Sequence, residues 1–130
     1  MTSKLRLRNQ EIAEMCLSEI KEIKKDAKGN NEKLDKYLTA IRRLPSTIVS
    51  NGLISAMAFY KSKEKEKKEI YQIISKLLKE QKLLNFKENE DLLDFLVRID
   101  ANTLRFVSSQ VLLIATWLKR IAEVELREEE

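Results

Sequence analysis

The chain has 130 residues, 43% of them hydrophobic and 35% charged, with 25 Lys and Arg against 21 Asp and Glu, a single cysteine and no histidine. That length fits one domain over residues 1–130 with a core that needs no staple, and one cysteine excludes an internal disulfide. Without histidine the chain lacks both the commonest general base near neutral pH and the commonest zinc ligand, and its most apolar run, Val111 to Ala115, is too short for a membrane span. The start runs straight into charged residues, with no pattern of an export signal, so a soluble protein of the cytoplasm with no membrane contact is expected.

Two glycines and one proline leave few breaks, and apolar residues recur at helical spacing, so the chain is expected to form six helices and no strands. The first runs from about Ser3 to Lys28 with Ile12, Cys16, Ile20, Ile23 and Ala27 on one stripe; Gly29 stops it, and Asn30 caps the second. The second turns Leu34, Tyr37, Leu38, Ile41 and Leu44 inward and is expected to end at Pro45, whose missing N–H cannot continue the ladder. A third, Pro45 to Ser62, is apolar nearly all round. Gly52 in its middle implies a close backbone approach by a neighbouring helix or a ligand, with helix packing the favoured of the two. A fourth, Glu64 to Lys82, buries Ile70, Ile73, Ile74, Leu77 and Leu78 and sets Glu64 four residues before Lys68. After a loop through Asn85, a fifth runs from Glu90 to Ile99, capped by Asn89. The sixth follows Asp100 and alternates Leu104, Val107, Val111, Ile114, Leu118 and Ile121, which puts it at the centre of a compact all-α bundle. The terminal Arg127 to Glu130 has nothing to bury and is expected to fray.

Charge is uneven along the chain. Residues 1–82 hold 19 Lys and Arg against 11 Asp and Glu, and residues 83–130 hold 6 against 10, or +8 and −4. A basic face toward a polyanion would produce this asymmetry, and so would a plain solvated surface. Catalysis has little to work with: Cys16 lies on an apolar stripe beside Met15, the place of a core thiol, and no glycine loop is present to cradle phosphate. Asp91 and Asp94 offer carboxylates for magnesium, but acids in the first turns of a helix more often serve its dipole. No catalytic residue, metal or cofactor is expected, and function falls to surface recognition.

Arg42-Arg43-Leu44-Pro45, then Ile48, Asn51-Gly52-Leu53, Ala58-Phe59 and Ser62-Lys63, form a string that resembles the small subunit of the Cmr complex, the type III-B CRISPR effector that uses a guide RNA to find foreign RNA. A second block, Trp117-Leu118-Lys119-Arg120 followed by Ala122, resembles the signature near the end of that family's last helix. Departures are Leu104-Arg105 where the family often has a tyrosine-arginine pair, Gln110 where it often has glutamate, and Ser108 in place of threonine. The resemblance implies a non-catalytic subunit that stacks in several copies against a filament of the backbone subunit, with the large subunit, guide RNA and target RNA as further partners. Cleavage would belong to the other subunits.

Such a role needs cations that meet phosphates whatever the base sequence. Arg42 and Arg43 carry guanidinium forks suited to phosphate, although a helix C-terminus would favour them as well. Lys61 and Lys63 close a segment, Ser46 to Lys63, without a single acidic residue, and are the leading candidates. Lys24, Lys25 and Lys28 stand where the helix dipole already favours lysine. Lys65, Lys67 and Lys68 interleave with glutamates on a solvated face. Trp117 could stack on a base, but its apolar helix points to a core or subunit-interface anchor; Lys119 and Arg120, beside it, would face RNA or a neighbouring subunit. The rival reading is a helical adaptor that docks a protein through an apolar groove, and a more distant one is a small enzyme with a carboxylate-bound metal.

Overall fold

The computed structural model describes residues 2–63, 65–81 and 85–127, with side chains from Arg8 onward. It contains α1 (Thr2–Asp26), α2 (Asn31–Asn51), α3 (Leu53–Ser62), α4 (Lys65–Glu80), α5 (Leu92–Arg98) and α6 (Ala101–Glu125), and no strand among the described residues. The expected bounds at Glu64 and Lys82, the Glu64–Lys68 pair and the residues after Arg127 lie outside the described residues.

The all-α bundle forms around α6, as its apolar periodicity predicts. This helix packs on α1, α2 and α4, and buries Val107, Val111, Ile114, Ala115, Leu118 and Ala122. Each fully buried aliphatic side chain of this kind stabilises the fold by roughly 1.5–3 kcal/mol. The α1 stripe of Ile12, Cys16, Ile20, Ile23 and Ala27 is wholly buried. Cys16 places its Sγ 3.8 Å from the Ile114 carbonyl, and burial, with a smaller push from Glu19, raises the thiol to about 12, which makes it an inert core group. Contacts of α1 with α6 advance together along both helices: Arg8 donates to the Gln110 side chain, Cys16 meets Ile114, and Lys24 meets Glu125, so the two run parallel. The amide at Gln110 thus still accepts a hydrogen bond.

Pro45 does not end the second helix. It lies inside α2, which continues to Asn51. A proline in a helix interior costs about 3 kcal/mol, but Ile41, Leu44 and Ile48 form one buried series across it, and stopping at Pro45 would forfeit part of that burial. Side chains satisfy carbonyls nearby. The Tyr60 hydroxyl donates to the Ala40 carbonyl at 2.6 Å, and the Ser46 and Thr47 hydroxyls donate to the Arg43 carbonyl at 3.1 and 2.7 Å.

The break falls instead at Gly52, and the close approach expected there is absent: a Cβ would meet nothing within 4 Å. Its φ of 84° and ψ of 159° belong to a region open essentially to glycine alone. Its N–H bonds the Ile48 carbonyl and its carbonyl accepts from Ala56, so one residue closes α2 and opens α3. Two further bounds shift. The first helix ends at Asp26 rather than Lys28, with Gly29 at φ 81° and Asn30 capping Lys33 as expected. The cap of α5 is Asp91, not Asn89, because the Asp91 carboxylate accepts from the Leu93 N–H. Asp100 caps α6 through the Thr103 N–H at 2.7 Å.

Candidate nucleic-acid interface

The nominated cations do not form one strip; their contacts fall in three places. The first is the corner where α1 gives way to α2. Lys21, Lys24 and Lys25 follow at i, i+3 and i+4 and share one face of α1, and Lys28 stands in the turn beyond it. Together with Gly29, Asn31, Leu34 and Arg127 they line a cleft of about 430 Å³. Lys24 approaches Glu125 at 3.4 Å, whereas Lys21, Lys25 and Lys28 meet no carboxylate among the described residues. Neither Lys21 nor Arg127 stood out in the sequence. The seven-residue lysine series was the available signal for Lys21, while Arg127 carried none.

Further along α2, Arg42 reaches back to Glu123 at a long 3.7 Å with both side chains well exposed. Arg43 is exposed and meets no carboxylate among the described residues. Its charge is felt by Tyr60, whose hydroxyl burial pushes up to about 12 against the opposing pull of Arg43.

The second place is the junction of α3, α4 and α5. Lys61 Nζ lies 2.9 Å from Asp91 Oδ2 and 5.8 Å from the centre of the Tyr71 ring. The Tyr71 hydroxyl donates to the same oxygen at 2.9 Å and accepts from the Leu93 N–H at 3.0 Å. Burial works to raise the Asp91 carboxyl, but the bonds from Lys61 and Tyr71 outweigh it and hold the group below the usual carboxylate range. Burial pushes the Tyr71 hydroxyl up. Lys61 thus has a carboxylate partner: the acid missing from its own segment arrives from 30 residues away. Lys63 carries no such partner among the described residues and lies 5.2 Å above the Phe59 ring. Nearby, Arg98 forks onto Glu90 and the Asn85 carbonyl, fastening the loop before α5.

The third place is the outer side of α6. Trp117 is half-buried against the core, and the Arg120 guanidinium lies 5.7 Å from the centre of its ring. Lys119 is half-buried and Arg120 exposed.

Residues 8–125 match the family model described as CRISPR-associated protein (Cas_Cmr5). The chain belongs to the Cmr5 family. Similarity extends to the CRISPR system Cmr subunit Cmr5 of Thermotoga maritima, 33% identical over 98% of this chain and 91% of the relative. The fold is similar to the crystal structure of a CRISPR-associated Cmr5 family protein from Thermus thermophilus, with a TM-score of 0.76 at 22% identity over 92% of this chain and 98% of that one. Both Cmr5 motif blocks, Arg42 to Lys63 and Trp117 to Ala122, fall inside the matched span, so the resemblance read from them holds at the level of the family.

Proposed function

We propose that this Cmr5-family chain serves as a non-catalytic small subunit of a type III-B CRISPR ribonucleoprotein, standing in several copies beside the backbone and large subunits and touching the sugar-phosphate chain of guide or target RNA. It works in the cytoplasm and needs no cofactor. Among the described residues no helix is long and apolar enough to cross a membrane. The observation that carries the RNA contact is the lysine cleft at the α1–α2 corner, where three of four lysines meet no carboxylate among the described residues. Cations so placed hold phosphate without reading base edges, and base pairing with the guide supplies discrimination. Arg42, Arg43 and Lys63 extend the contact, with Lys119 and Arg120 at the α6 edge; Lys61 contributes less because Asp91 holds it.

A single corner binds RNA weakly, and affinity accrues when several copies engage one strand. The test is therefore made on the assembled complex. Charge reversal of Lys21, Lys25 and Lys28 to Glu should weaken RNA capture at least about tenfold and flatten its dependence on salt. Unchanged affinity and an unchanged salt slope would rule out contact at this corner. The alternative, a helical protein adaptor with no nucleic-acid contact, draws on the exposed apolar side chains of α6; it requires binding that added salt barely alters.

A further inference from the structure

The outer side of α6 carries an apolar stripe that the bundle leaves open. Phe106, Leu113, Trp117 and Val124 stand at intervals of seven, four and seven residues, and at 100° per residue they fall within about 40° of one another. Val107, Val111, Ile114 and Leu118 point to a different side and are buried. Phe106 and Val124 are 41% and 74% exposed, while Leu113 and Trp117 are half-buried.

The spacing reads the same in both directions. A two-fold axis near Ala115 carries Phe106 of one copy onto Val124 of a second, and Leu113 onto Trp117. Charge follows nearly the same operation. Arg105 and Glu123 stand five helical turns apart on one flank of the stripe, so an antiparallel copy brings each Arg105 to within two residues of register, about 3 Å along the axis, of the other copy's Glu123. Arg105 meets no carboxylate among the described residues, and the Arg42 contact to Glu123, at 3.7 Å, is long enough to yield. A stripe whose apolar positions map onto one another, flanked by opposite charges, is what an isologous contact requires.

We infer that two copies of this chain pair antiparallel through the outer face of α6. The contact is narrow, so it is a reversible association of the free subunit rather than an obligate dimer. Trp117 is its central anchor. Arg120, lying over Trp117, is covered in the pair and is not free for RNA there, whereas the lysine corner takes no part. The pairing stands apart from the RNA reading, and either one survives the failure of the other.

Two cysteines test the register. Positions 106 and 124 are about 27 Å apart within one helix, far beyond the Cα separation of about 4.4–6.8 Å that a disulfide spans. The native Cys16 is fully buried and does not interfere. Mild oxidation of the double variant Phe106→Cys/Val124→Cys should give a covalent dimer. An equimolar mixture of the two single variants should cross-link one to the other, and neither single variant alone should do so. In sedimentation runs the mass of the unmodified chain should rise toward twice the monomer with concentration, and Val124→Glu, an exposed position that leaves the core intact, should abolish the rise. A folded double variant that remains monomeric, or a Phe106→Cys variant that links to itself as readily, overturns the antiparallel pair. Should Val124→Glu lose only the other complex subunits while the unmodified chain sediments as a monomer throughout, the stripe belongs to one of those subunits and the inference is wrong.

Discussion

The α1–α2 corner and the α3–α4–α5 junction both present lysines, but they do so in opposite electrostatic states. At the corner, Lys21, Lys25 and Lys28 surround a cleft with no carboxylate contact among the described residues. At the junction, Lys61 is fixed to Asp91, which also receives the Tyr71 hydroxyl and the Leu93 N–H. Local sequence ranks them the other way round, because Lys61 sits in an acid-free segment and the corner lysines sit at a helix end. Whether a cation is available to a polyanion is decided by what packing brings to it, and that partner can lie far away in sequence.

The difference between the two sites depends most on Asp91. Asp91→Ala removes the α5 cap, worth about 0.5–2 kcal/mol, and deprives Tyr71 and Lys61 of their shared acceptor; urea denaturation should show a loss of about 2–3 kcal/mol in all. Asp91→Asn keeps a capping oxygen and should lose clearly less. An alanine variant as stable as the parent would mean that the junction is not held by this carboxylate. Acid adds a second reading of the same group. Because its folded carboxyl is held low, its stabilisation is complete above the ordinary aspartate value near 3.9 and fades as pH falls through the lower folded value. The Asn variant should therefore lose less stability than the parent on acidification below about pH 4.

Next in size is the contrast in RNA capture. Alanine at Lys21, Lys24, Lys25 and Lys28 should cost the assembled complex about tenfold in affinity and reduce the salt slope by roughly 0.7–0.9 for each phosphate that is no longer neutralised. Alanine at Arg42, Arg43, Lys61 and Lys63 should cost less, about threefold, with the loss due to Arg43 and Lys63. Filter binding at several salt concentrations checks both sets, and the reverse order would invert the comparison. The smallest effect is expected at Arg42, where the exposed pair with Glu123 at 3.7 Å should leave stability within about 0.5 kcal/mol of the parent in Arg42→Ala.

Much of this architecture is legible in the chain. The stripe from Ile12 to Ala27 and the alternation from Val107 to Leu118 foretell the central pairing of α1 with α6, because burying an apolar face is the dominant stabilising term and its period shows in the residues. Arg42 to Lys63 and Trp117 to Ala122 foretell the family. The division between α2 and α3 is not legible by the same means. Proline weighs heavily in a local reading and glycine lightly, yet the buried series Ile41, Leu44 and Ile48 carries the helix across Pro45, and the dihedral angles of Gly52 end it. Tertiary burial outweighs a local preference there. The partner of Lys61 was hidden for a related reason: no pattern within Ser46 to Lys63 points to an aspartate beyond the next helix. Lys21 could have been found from its spacing to Lys25 and Lys28, and Arg127 could not.

The central helix is also the last of the six to be synthesised. Until α6 emerges, α1 lacks its main packing surface, while α2, α3 and α4 can already close on one another; the parallel contact of α1 with α6 joins residues about a hundred positions apart. An all-helical chain of this size would ordinarily rank among the fast folders with mostly local contacts. Here completion of the core waits for α6, and until then the apolar stripe of α1 stays open to chaperones.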